Sequence, residues 1–73
     1  MHDHETAELA LRLALEEDPS DERILYNLAN VLFDAERFQD AISIYQSVIA
    51  IGSQLSSMAQ DNLKLAASHL RTR

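Results

Sequence analysis

Apolar residues recur at helical spacing in four blocks, separated by short polar breaks. Ala7, Leu11, Ala14 and Leu15 stand at i, i+4, i+7 and i+8, which puts them on one helix face. Ile24, Leu25, Leu28, Val31, Leu32 and Ala35 form a second stripe. Ala41, Ile42, Ile44, Tyr45, Val48, Ile49 and Ile51 form a third, and Ala59, Leu63, Ala66 and Leu70 a fourth. The pattern predicts helices over about residues 6–17, 21–35, 38–51 and 54–70 within one domain spanning 1–73.

The breaks carry the chemistry of helix ends. Asp18-Pro19-Ser20 closes the first helix, because proline cannot continue the hydrogen-bond ladder. Ser20 is placed to cap the second helix, and Asp21 and Glu22 favour the positive end of its dipole. Only Glu36-Arg37 separates the second and third helices, so these two fold back antiparallel. Gly52 tolerates the positive φ that ends the third helix. Ser53, Ser56 and Ser57 are alternative caps for the fourth.

The blocks echo one another. Ala7, Leu11, Ala14 and Leu15 return 34 residues later as Ala41, Tyr45, Val48 and Ile49. Ile24, Asn27, Leu28, Val31 and Leu32 return 35 residues later as Ala59, Asn62, Leu63, Ala66 and Ala67. A period of this length marks a helical hairpin used as a building block. The fold class expected is all-α: four antiparallel helices forming a fragment of a solenoid.

Composition narrows the function classes. A chain of 73 residues buries only about 60% of its unfolded surface, so oligomerisation or a covering partner is the expected extra source of stability. The net charge of −6 is uneven: residues 1–22 hold eight acids against Arg12, giving −7, and the remaining residues hold four acids against five basic groups, giving +1. An acidic domain repels phosphate, so nucleic acid and anionic membrane are poor partners. The apolar runs are short and interrupted by charge, so none spans a bilayer. The absence of cysteine fits a cytoplasmic protein. The single glycine excludes a glycine-rich phosphate loop, and the serines read as caps rather than nucleophiles. Asp18 and Asp21 are helix-end residues, not a general acid–base pair. His2, His4 and His69 do not converge on a metal. The chain is therefore read as a non-enzyme with no cofactor.

Residues 22–53 resemble one complete tetratricopeptide repeat, on Leu25, Asn27, Leu28, Ala29, Leu32, Phe38, Ala41, Tyr45 and Val48. Ala29 and Ala41 stand where the family's paired helices touch most closely. Ala7 to Asp18-Pro19 resembles the second helix of a preceding repeat, and Ala59 to Leu70 the first helix of a following one. The resemblance implies a right-handed solenoid of half a repeat, one repeat and half a repeat. It implies a core of Leu11, Ala14, Leu15, Leu25, Leu28, Ala29, Leu32, Phe38, Ala41, Ile42, Tyr45, Val48, Ile49, Leu63 and Ala66. Departures from the family pattern include Ser53 for a usual proline, Glu36 for a usual glycine and Lys64 for a usual small residue. Glu8 and Glu17 occupy places that are elsewhere apolar, consistent with no helix preceding the first.

The family binds peptides or helices in a concave groove lined by the first helix of each hairpin. Carried over, that face is Arg23, Asn27, Asn30 and Asp34 with Met58, Asn62 and Leu65, and with Tyr26 and Phe33 at its edges. Members that clamp a chaperone's C-terminal carboxylate surround it with basic residues. Here Arg23 alone is basic, so the expectation is a small adaptor or scaffold that binds another protein more generally. A second signal lies in Leu9 and Leu13, which widen the apolar arc of the first helix to about 200°. The alternative function is a homodimer, or other self-associating structural module, joined through Leu9 and Leu13.

Overall fold

A computed structural model describes residues 3–72. It has four helices among these residues: α1 (His4–Glu17), α2 (Glu22–Asp34), α3 (Phe38–Ile51) and α4 (Leu55–Arg71). Each helix packs on its neighbour in sequence, and α2 also touches α4. The backbone of α1 packs on α2 alone. Contacts to the next helix and the next but one, and no further, are those of a solenoid fragment.

Local chemistry explains the boundaries. Asp3 caps α1, accepting from the Thr6 N–H at 3.1 Å. At α2 the expected cap is corrected: Asp21, not Ser20, accepts from the Arg23 N–H at 2.9 Å. Both residues have a short side chain with an oxygen acceptor, and one step in register decides between them. The α2–α3 turn closes by a Schellman motif. The Arg37 N–H donates to the Leu32 carbonyl and the Glu36 N–H to the Phe33 carbonyl, both at 2.9 Å. Glu36 sits at φ +62°, the left-handed region, where the family usually has glycine. Gly52 ends α3 at φ +75°. A Cβ there would meet nothing within 4 Å, so its need for glycine is conformational and not steric. At the start of α4, Ser53 accepts from the Leu55 N–H at 3.2 Å.

The core lies between α2, α3 and α4. Leu28, Ala29, Ala41, Val48, Ala59 and Ala66 have no exposed surface, and Leu32 and Tyr45 expose 1%. Leu25 and Phe38 are also buried. Burying a leucine or valine side chain contributes roughly 1.5–3 kcal/mol. Ala29 and Ala41 leave no room for growth, so a larger side chain at either would cost about 1–3 kcal/mol in strain.

The expected core was too wide at its edges. Leu11, Ala14, Leu15, Ile42, Ile49 and Leu63 are half-buried, and α1 holds no buried residue. For Leu11, Ala14 and Leu15 the cause is geometric: α1 packs on α2 alone, so its inner face is covered from one side. Ion pairs reinforce the joint. Glu8 accepts from Arg12 at 2.9 Å and from Arg37 of the α2–α3 turn at 2.6 Å, while Arg37 also grips Asp40. Glu8, expected only to mark the end of the array, ties α1 to the next hairpin.

Candidate protein-binding groove

Two stripes, one on α2 and one on α4, share the same spacing. On α2, Arg23, Asn27, Asn30 and Asp34 stand at i, i+4, i+7 and i+11. On α4, Met58, Asn62, Leu65 and His69 repeat that spacing. The two helices lie side by side in a constant register. Asn62 bonds to Tyr26 and His69 meets Phe33, each pair 36 residues apart.

A polar network joins the stripes. Asn62 Nδ2 donates to the Tyr26 hydroxyl at 3.0 Å and to Asn30 Oδ1 at 3.3 Å. The Tyr45 hydroxyl donates to the same Asn30 oxygen at 2.5 Å. Burial pushes the Tyr45 hydroxyl up to about 12, because the phenolate would lose its water. The Tyr26 and Tyr45 rings lie 6.1 Å apart, tilted by 59°. No described side-chain polar atom is buried without a partner. Asn30 still keeps Nδ2 donors, and Asn62 keeps Oδ1, with no partner among the described residues.

Of the expected groove residues, Asn30, Asp34, Asn62 and Leu65 line a single cavity of about 310 Å³, together with Phe33 and Tyr45. That volume is at the small end of ligand-binding pockets. Leu65 is 54% exposed at its rim. Arg23, Asn27 and Met58 are exposed outside the cavity. Arg23 is held by Asp21 at 3.3 Å, and this ion pair raises the guanidinium and lowers the carboxyl.

Residues 1–60 match the family model described as Tetratricopeptide repeat. The chain belongs to the tetratricopeptide repeat family. No curated protein and no solved structure matched it. Tetratricopeptide repeats mediate protein–protein interaction and are typically non-enzymatic. Within the family's hairpin scheme, α2 and α3 form the complete repeat, α1 the second helix of one before it and α4 the first helix of one after it. The cavity therefore lies between the first helices of successive repeats.

An aromatic cluster around His69 continues this face. The His69 ring stacks on Phe38 at 4.6 Å with the planes 4° apart, and meets Phe33 edge-on at 5.7 Å. Phe33 and Phe38 are themselves edge-to-face at 5.2 Å. The signal was available, since His69 follows Leu65 by four residues and Asn62 by seven. Among the described residues no three His, Cys, Asp or Glu converge as metal ligands; His2 lies outside them. No helix among the described residues is long and apolar enough to cross a membrane.

Proposed function

We propose that this repeat protein binds a segment of another protein along the face shared by α2 and α4. The observation that carries this reading is the cavity walled by Asn30, Asp34, Asn62 and Leu65. It offers the mixture a peptide needs. Phe33 and Leu65 supply apolar contact, while the spare amide groups of Asn30 and Asn62 can pair with a peptide backbone. Asn27, Arg23 and Met58 extend the same stripes toward the N-terminal ends of the two helices and lengthen the track. The network through Tyr26, Tyr45, Asn30 and Asn62 holds the walls in place before binding, which lowers the ordering cost.

The test is selection of peptides from a displayed random library, followed by affinity measurement on variants. Leu65→Glu and Asp34→Lys alter exposed groups at the cavity and leave the fold intact. Each is expected to weaken a selected peptide by at least about tenfold, the loss of one good contact. Selected peptides that bind both variants as tightly as wild type would remove this face from the account.

A second reading has its own observation. Leu9 and Leu13 are 61% and 54% exposed, one turn apart on α1. That face suits self-association, with a second copy burying the leucines. Sedimentation of wild type beside Leu9→Gln with Leu13→Gln decides it. The reading requires a dimer that the double variant loses; a wild-type monomer at high concentration would sink it.

A further inference from the structure

A second cavity of about 410 Å³ adjoins the first, at the C-terminal ends of α2 and α4. Phe33 and Asp34 line both, so the two form one continuous depression. Its walls combine two kinds of group. His69 and Phe33 supply the accessible aromatic surface, and Phe38 is buried against the His69 ring that stacks on it. Asp34 and Glu36 supply carboxylates, and neither has an ion-pair partner among the described residues. Arg37, the nearest cation in sequence, is committed to Asp40 and Glu8.

Aromatic faces attract a cation through the ring quadrupole, and free carboxylates attract it by charge. A planar guanidinium satisfies both demands at once, since it stacks on rings and presents a fork of donors to carboxylates. An ammonium is also drawn to a ring face, but it cannot lie flat on the ring and present a planar fork to carboxylates at the same time. We propose that this cavity takes the guanidinium of an arginine carried by the partner segment. The proposal rests on the groove reading for how the arginine arrives, and not for whether the cavity recognises it. The carboxylates of Asp34 and Glu36 at the cavity complement such a partner in charge. The anchoring role of Glu36 also accounts for an acidic residue at a left-handed position that glycine would fill with less strain.

The test uses a small probe, so that it stands apart from peptide binding. N-acetyl-arginine amide is titrated into the full chain at pH 8 and low salt, with N-acetyl-citrulline amide as the uncharged isostere. Ring protons of Phe33, Phe38 and His69 are followed by NMR. The expected result is a saturable shift at these rings with the arginine probe and none with citrulline. Asp34→Asn with Glu36→Gln, both at exposed sites, is expected to weaken the arginine probe roughly tenfold while the circular dichroism spectrum is unchanged. Equal responses to both probes, no saturation up to millimolar tens, or unchanged binding in the double variant would each overturn the proposal. Saturation by arginine at these rings with no displayed peptide selected would leave the cavity standing and the groove reading failed. Selected peptides without arginine, bound at Leu65, would do the reverse.

Discussion

Asn62 reaches back across 36 residues of chain to donate to the Tyr26 hydroxyl at 3.0 Å. The bond joins α4 to α2 directly, past the helix that connects them. With Asn30 Oδ1 receiving both Asn62 and Tyr45, four side chains from three helices share one network. Such networks rigidify when every member is satisfied and become costly when one is lost.

Removing the acceptor and removing the donor of the Tyr45–Asn30 bond should differ in size. Asn30→Ala strands the hydroxyl of Tyr45, a residue only 1% exposed, and should cost about 1–3 kcal/mol. Tyr45→Phe removes the hydroxyl and leaves Asn30 still bonded to Asn62, so it should cost about 0.5–1.5 kcal/mol. Urea denaturation of both variants checks the order. A larger loss from Tyr45→Phe would contradict this account of the network.

Alkaline pH should expose the same residue. The Tyr45 hydroxyl is raised to about 12 by burial, against roughly 10 in the unfolded chain. The neutral phenol is favoured by the fold, so its stabilisation is complete below pH ~10 and is lost as pH rises toward ~12. The loss should reach about 2 kcal/mol, and Tyr45→Phe should lack it. Urea midpoints of both proteins between pH 9 and pH 12 make the comparison.

Acid pH should loosen the other end. The hydrogen bond from Arg12, followed by the charge of Arg37, holds the Glu8 carboxyl below its usual range. A depressed carboxyl stabilises above its unfolded value, about 4.5, and that stabilisation fades as pH falls through the folded value. Glu8→Gln should therefore be less stable than wild type at pH 7, with a narrower gap at pH ~3. Thermal melts at both pH values test this, and a constant gap would rule it out.

The two left-handed residues make a matched pair. Glu36→Gly relieves a side chain at φ +62° and should stabilise by about 0.5–1 kcal/mol. Gly52→Ala imposes a side chain at φ +75° and should destabilise by about 1–2 kcal/mol. If Glu36 also anchors a guanidinium, Glu36→Gly will be more stable and a weaker binder. That divergence separates folding from binding in one variant.

The sequence carried the architecture through a few residues. Ala29 and Ala41 announced a close helix contact, and both are wholly buried. Glu36 stood where the family has glycine, and it takes a positive φ. The α2 cap was less legible, because Ser20 and Asp21 are adjacent and chemically alike. The edge of the core was less legible too: Leu11 and Leu15 have the spacing of core residues, but burial depends on how many neighbours a helix has. The spacing placed His69 on the groove stripe, but its aromatic partners were set by register. An alignment offset of 35 pairs Asn27 with Asn62, whereas the contact offset of 36 sets Asn62 beside Tyr26 and His69 beside Phe33. One residue of phase separates the repeat as a pattern from the repeat as a surface.

The central claim is that a partner segment lies on the face shared by α2 and α4. Backbone NMR of the labelled protein, titrated with a peptide selected from the displayed library, tests it most directly. The account predicts saturable shifts concentrated at Asn30, Phe33, Asp34, Asn62 and Leu65, with α1 unmoved. Shifts centred on Leu9 and Leu13 instead, with the α2 and α4 residues unmoved, would contradict it.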